Sequence, residues 1–378
     1  MFDIHLYMKA FEVKKALDKG RIDGRQAFQA FQALRSAEPF VFNIETTNLC
    51  NMQCQMCPGP ARMTRPRVTM AREVFSKVVA QLKPWNPEEW SRWEDFVGRS
   101  YGVPKEGMSE NHFFLYVISK VVVLHGYGEP LLDPMIVERV EDLTRRGIPS
   151  YFSCNPWNMN RDLGKALFDA GLDYIKFSTD SPDDISIRQI RGQRANFSES
   201  YKRIVELLNL KERNGYKTTV VITMLHLNRQ NQMEEFDRLR RKFEGTGVYS
   251  YLKSQDQRWY RDTGAQTQSV HWLEPCQFPW SSMTVKSDGS VVQCVEDFNN
   301  EIVLGHVLEE SLREIWNGDR YEKLRESHLT MKPGIKCTRE CDMKLIGSCC
   351  RQPVSVPTVA VEKTEGGSAD EGGKVRYE

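Results

Sequence analysis

The sequence has no run of eighteen apolar residues, so it offers no candidate membrane-spanning helix. It has no excess of either charge: 52 basic residues face 51 acidic ones, a net +1, which implies no broad field for nucleic acid or an anionic membrane surface. The N-terminus shows no secretory h-region, so a reducing cytoplasm is the expected compartment and the ten cysteines point to metal ligation rather than disulfides. Those cysteines are unevenly spread. Three fall between Cys50 and Cys57, six between Cys276 and Cys350, and Cys154 stands alone. At 378 residues the chain is long enough for two or so domains.

Residues 40–58 read FVFNIETTNLCNMQCQMCP. The apolar, β-branched start predicts a buried strand, Phe40 to Ile44. The loop after it carries Cys50, Cys54 and Cys57, a C-x3-C-x2-C spacing whose soft sulfur ligands suit iron–sulfur, zinc or copper(I). No fourth cysteine accompanies them. Structural zinc takes four closed ligands, and an ordinary four-iron cluster takes four cysteines. Three thiolates on one loop leave one iron open to a ligand that is not protein.

Strand-like and helix-like runs alternate from there to about Leu252. Lys120–Leu124, Pro149–Ser153, Tyr174–Ser178, Thr218–Met224 and Val248–Leu252 follow the first strand, with amphipathic helices between them. Six βα repeats predict a parallel sheet with its chemistry on the loops at the C-terminal strand ends. Residues 1–38 read as helical, a lid or brace. The insertion 83–118 carries Trp85, Trp90 and Trp93, and is either an excursion packed down by its tryptophans or a cap over the barrel mouth. Residues 352–378 have too little apolar surface to offset chain entropy and are expected to be disordered.

Each strand end carries polar chemistry. After the second comes His125-Gly126-Tyr127-Gly128-Glu129-Pro130, whose glycines permit close approach and whose Glu129 is an acceptor for an ammonium group. After the third comes Ser153-Cys154-Asn155-Pro156, where Cys154 is expected to face the barrel mouth. It is either a small buried hydrophobe or a thiol that gives a hydrogen atom to a substrate radical. After the fourth comes Ser178-Thr179-Asp180-Ser181-Pro182, with Arg191-Gly192 downstream. A guanidinium suits planar capture of a carboxylate. The C-terminal block starts at Cys276, runs through a hairpin turning at Asp288-Gly289 to Cys294, and ends in Cys337, Cys341, Cys349 and Cys350.

In combination these motifs resemble the radical S-adenosylmethionine (SAM) superfamily with a C-terminal SPASM/twitch extension. The resemblance implies an α/β fold, a partial (β/α)6 TIM-like barrel at 39–265 followed by a small auxiliary-cluster domain at 266–351. It implies a SAM-binding [4Fe–4S] cluster on Cys50, Cys54 and Cys57. SAM would be held by Gly128, Glu129 and Pro130, in a GGEP-like element whose first glycine is Tyr127, and by Asn155, Ser178 and Arg191. Asp180 would lie nearer the substrate. The later cysteines depart from the family pattern: C-x3-C-x7-C-C stands where the full extension has C-x2-C-x5-C-x3-C and a final cysteine. At least one auxiliary [4Fe–4S] cluster is expected, on Cys276, Cys294 and two of the later four, with zinc as the competing occupant. The implied activity is formation of a 5′-deoxyadenosyl radical that removes hydrogen from a substrate, with a flavodoxin or ferredoxin as electron donor. The preferred substrate is a small molecule, sugar or aminoglycoside-like, oxidised or epimerised. The alternatives are a peptide or protein maturase working with a separate leader-binding partner, and a non-catalytic iron–sulfur protein.

Overall fold

A computed structural model describes residues 1–107, 109–227, 229–253 and 276–329. Cys337, Cys341, Cys349, Cys350 and the tail 352–378 lie outside the described residues. Six strands run parallel: β1 (Val41–Ile44), β2 (Val122–Val123), β3 (Ser150–Cys154), β4 (Tyr174–Ser178), β5 (Thr219–Leu225) and β6 (Tyr249–Lys253). They lie in the order β6-β5-β4-β3-β2-β1. The hairpin β7 (Met283–Val285) and β8 (Ser290–Val292), with β9 (Val303–His306), continues the same sheet, because β7 pairs parallel with β1. The C-terminal block is therefore joined to the barrel by backbone hydrogen bonds and not only by side-chain packing. β2 is shorter than its apolar run predicts. The residues before it end a helical stretch, Phe113–Ile118, and Val121 N–H still donates to the Val117 carbonyl.

The sheet curves. The Phe113 ring meets Tyr151 on β3 at 5.3 Å and Tyr251 on β6 at 5.5 Å. Those strands stand three apart, about 14 Å in a flat sheet. One face of every strand packs against helices in the main core, where Val122, Phe152, Cys154, Ile175, Phe177 and Ile222 are buried. The helices are fixed at their ends by side-chain caps. Asn160 caps Arg161–Asp169, Asn196 caps Phe197–Asn214, and a Ser311–Glu314 capping box starts Leu312–Asn317.

The concave face holds a second cluster that the sequence did not reveal. Trp93, fully buried, packs with Phe2, Tyr7, Phe113 and Tyr116, and these meet Val123, Tyr151 and Tyr251. The contacts fall toward the N-terminal strand ends. Tyr249, first in β6, shares hydrogen bonds with the Ser109 backbone, and Trp85 Nε1 donates to the Ser119 carbonyl just before β2. The insertion and the N-terminal helix Ile4–Asp18 thus close the barrel from below. Of the two readings of the insertion, the cap over the mouth is corrected and packing by its tryptophans is what is seen: they seek the apolar floor of the sheet, while the mouth is lined by polar loops.

Candidate active site

The cysteine loop is closed at its base by Asn48. Its Nδ2 donates to the Pro66 carbonyl at 2.8 Å and its Oδ1 accepts from Val68 N–H at 2.7 Å. Cys50 is exposed on this loop, and Cys54 and Cys57 are half-buried. Desolvation by the loop raises all three thiols, Cys50 to about 11 and Cys57 to about 12. Iron would bind them as thiolates and displace those protons. Two neighbouring elements hold the loop. Gln53 and Gln55 N–H groups donate to the carbonyls of Arg191 and Ile190, and Glu129 N–H donates to the Leu49 carbonyl at 2.7 Å.

Glycine is needed at two of these junctions. A Cβ on Gly128 would lie 2.1 Å from the Thr47 carbonyl oxygen, and one on Gly192 (φ +92°) would lie 2.9 Å from Gln53 Cβ. The close approach that Gly128 allows is therefore made first by the chain's own loop.

Glu129 is buried. Its Oε2 accepts from Asn155 N–H at 2.8 Å and its Oε1 from Leu131 N–H at 3.2 Å. Burial pushes its carboxyl up to about 7. Arg191 donates from Nε to Asp180 Oδ2 at 2.7 Å and from Nη1 to Cys54 Sγ at 3.7 Å. Although burial opposes its charge, Asp180 and Cys54 hold the guanidinium protonated. Asp180 is buried and fully engaged, its second oxygen accepting from Leu225 N–H at 2.8 Å. It is corrected from a substrate-facing residue to one that positions Arg191. Ser178 Oγ and Ser153 Oγ are 3.0 Å apart. Asn155, Ser178, Thr179 and Arg191 line one recess, and Thr179 Oγ1 there is buried without a hydrogen-bond partner.

Cys154 does not reach the mouth. It is 3% exposed in the core on the helix-facing side of β3. Side chains alternate along a strand, and on β3 Tyr151 and Ser153 are the ones that face the lumen.

The donor set fits an iron–sulfur cluster better than a single ion. Among the described residues no group of three His, Cys, Asp or Glu side chains converges on one metal position. A four-iron cluster takes one thiolate per iron and spreads its ligands. In the C-terminal block Cys276 and Cys294 are both buried, and burial pushes both thiols up, with Glu296 and then Cys276 adding to the rise at Cys294.

Sequence reasoning missed a buried network beneath this site. Glu45 accepts from Arg65 Nη2 at 2.6 and 2.5 Å, from Tyr127 N–H at 3.2 Å and from Ser287 Oγ at 3.1 Å. Tyr127 Oη donates to Glu296 Oε2 at 2.8 Å, and Lys286 Nζ donates to the Val295 carbonyl at 3.0 Å. The signal available was an acidic residue directly after a mostly apolar strand.

Residues 107–240 match the family model of the radical SAM superfamily, and residues 276–342 match that of the SPASM iron–sulfur cluster-binding domain. An S-adenosyl-L-methionine-dependent 2-deoxy-scyllo-inosamine dehydrogenase of Niallia circulans is 33% identical over 51 residues, 14% of this chain and 20% of that protein. The match thus spans about a fifth of that relative's length. Three solved structures are similar at low identity. BtrN in complex with AdoMet and 2-DOIA is 16% identical with a TM-score of 0.45, over 79% of this chain and 91% of that one. Streptococcus suis SuiB bound to precursor peptide SuiA is 12% identical with a TM-score of 0.48, over 79% and 69%. anSMEcpe with bound AdoMet is 13% identical with a TM-score of 0.49, over 82% and 93%. Among the described residues no helix is long and apolar enough to cross a membrane. With two family models matched in order behind a cysteine loop at the end of β1, the chain belongs to the radical SAM superfamily and carries a C-terminal SPASM domain.

Proposed function

We propose that this protein is a radical SAM oxidoreductase or epimerase acting on a small molecule held in the barrel lumen. One observation carries the choice of a small substrate: the lumen is filled from below by the aromatic cluster around Trp93 and Phe113. Only the last two or so residues of each strand, about 7 Å of rise, remain between that floor and the cysteine loop. Such a space takes a small molecule or one side chain.

In this reading Cys50, Cys54 and Cys57 hold the catalytic cluster. Glu129 accepts the amino group of SAM, with Gly128 and Pro130 shaping its loop. Asn155, Ser178 and Arg191 take the carboxylate and ribose. When bound, the cluster and SAM supply a 5′-deoxyadenosyl radical able to remove an unactivated hydrogen atom. Asp180 and Leu225 N–H fix Arg191 against the cysteine loop, and the aromatic floor excludes water from below. Cys276 and Cys294 supply two ligands of an auxiliary cluster, and a flavodoxin or ferredoxin supplies electrons. The domain limits, 39–265 for the barrel with its insertion and 266–351 for the cluster domain, belong to the same proposal.

Anaerobic reconstitution with iron and sulfide, followed by reduction in the presence of SAM, tests it. The expected outcome is 5′-deoxyadenosine and methionine. A reconstituted protein that binds iron but forms no 5′-deoxyadenosine would refute the enzyme reading and leave a non-catalytic iron–sulfur protein.

A further inference from the structure

Lys176 lies midway along β4, paired in register with Ser153 on β3 and Val221 on β5. Alternation turns it into the lumen with Ser178, two residues nearer the cysteine loop. It is 8% exposed, and its Nζ sits 5.7 Å from the Phe113 ring centroid and 5.6 Å from that of Tyr151. No described residue accepts a hydrogen bond or forms an ion pair with this ammonium. A lysine almost never stays buried unless paired. Leucine or methionine there would suit the aromatic floor better.

None of the described acceptors around it is placed to take its hydrogen bond. His125 Nδ1 accepts from Ser153 N–H at 3.0 Å, so the neutral ring carries its proton on Nε2, as a donor. Lys253, at the end of β6, lies 4.0 Å from Glu110, the one carboxylate facing this group from the insertion. Asp180, further up, is neutralised by Arg191. Among the described residues, Lys176 thus shares this part of the lumen with the Lys253–Glu110 pair and the His125 imidazole, and neither carboxylate is within ion-pair distance of its own ammonium. Burial, then Lys253, pulls the Lys176 ammonium down to about 7, with Glu110 and Asp180 acting the other way.

We propose that Lys176, with the Nε2–H of His125, is the subsite for an oxyanion of the substrate, a carboxylate or a phosphate. The anion would sit at the end of the molecule remote from the cysteine loop. This rests on the lumen being the substrate chamber. It narrows the substrate class, because an acidic or phosphorylated polyol is matched by this floor, whereas an aminocyclitol would bring its ammonium against two others.

Three probes that differ only at one end test it: glycerate, glycerol 3-phosphate and glycerol, titrated calorimetrically into the reconstituted, SAM-loaded protein at pH 7. Saturable binding of one or both anions, with glycerol silent, is expected. Glycerate alone identifies a carboxylate site and the phosphate alone a phosphate site. Lys176→Met should weaken the anion by about tenfold or more, the loss of one charge-assisted bond. Lys176→Arg should restore most of it, and Lys202→Met, on an exposed helix face, should change nothing. Should Lys176→Met fail to fold, reductive methylation of Lys176 in the native protein gives the same answer, since a bound anion must slow it. Anions that bind no better than glycerol, or that bind Lys176→Met as well as the native chain, overturn the proposal. Formation of 5′-deoxyadenosine without any probe tests the radical chemistry separately, so failure of one reading is not mistaken for failure of the other.

Discussion

The substitution Glu45→Gln keeps the shape of a fully buried side chain and removes its charge. Burial works against that charge, but Lys286 and Arg65 outweigh it and hold the carboxyl below its ordinary range. Glutamine would leave both cations in the interior without an anion. Removing one partner of a buried pair typically costs about 3–5 kcal/mol. For a chain of this size that corresponds to a fall in Tm of at least about 5 °C. Arg65→Met should cost less than Glu45→Gln, because Lys286 remains to face the carboxylate, and the double variant should fall short of the summed losses by about 1 kcal/mol or more. The sign of the pH dependence follows from the lowered pKa. The carboxylate's contribution is present above its unfolded pKa of about 4.5 and is lost as pH falls through the folded value, so native and variant should converge in strong acid. Thermal unfolding of the apoprotein at pH 7 and at pH 3.5 measures both effects. A Glu45→Gln Tm within about 1 °C of native at pH 7 would show that the pair is compensated by solvent. The joint between β1, the Tyr127 loop and the C-terminal hairpin would then rest on the sheet alone.

Alanine at Cys50, Cys54 or Cys57 should abolish 5′-deoxyadenosine formation, and the triple variant should keep about four irons from the C-terminal block, measured by iron and sulfide analysis. Near-zero iron, or zinc, would retire the auxiliary cluster. Because Glu129 is held at about 7, it is mostly protonated at pH 6 and must ionise to pair with an ammonium, so SAM binding should release close to one proton. Calorimetry in two buffers of different ionisation enthalpy reads this, and Glu129→Gln should remove the buffer dependence. The same raised pKa means that this carboxyl favours the apoprotein most in acid, an advantage lost as pH rises from about 4.5 through 7. Gly128→Ala places a Cβ 2.1 Å from the Thr47 carbonyl and should lower both Tm and iron content, whereas Gly98→Ala, whose Cβ meets only Tyr116 Oη at 3.9 Å, should change neither. Cys154→Ala should cost about 1 kcal/mol of stability, as a small core truncation, and leave turnover and product unchanged.

What the sequence disclosed was what local spacing encodes. The C-x3-C-x2-C loop and the Gly128-Glu129-Pro130 turn each sit within a dozen residues, and β4 has the bounds its apolar run predicts, whereas the pairing of Asp180 with Arg191 was not read from their spacing. The long-range partners were not legible in the same way. Glu45 meets Ser287 across 242 residues and Tyr127 meets Glu296 across 169, and a single sequence records no such pairing. The insertion was visible as an interruption, but its destination was not. Tryptophan spacing reports that a segment is apolar, and only the curvature of the sheet determines which end it fills.

Strand parity separates Cys154 from Lys176. β3 was placed one residue early, over 149–153, and it spans Ser150–Cys154. With a period of two, facing cannot be read from a residue's place at a strand end. It must be counted from a neighbour whose face is known. Tyr151 meets the aromatic floor, so Ser153 shares its face and Cys154 takes the other, among Phe152 and Phe177 in the helix-side core. The same count from Ser178, whose Oγ meets Ser153 Oγ, brings Lys176 inward, although a lysine in an apolar strand reads in sequence as an outward, solvated residue. In a parallel sheet covered by helices that outward face is the core, so a strand lysine there has only the lumen to occupy. Of the two readings of Cys154, the small buried hydrophobe is the one its place in the core supports, and Lys176 is the strand residue turned into the lumen.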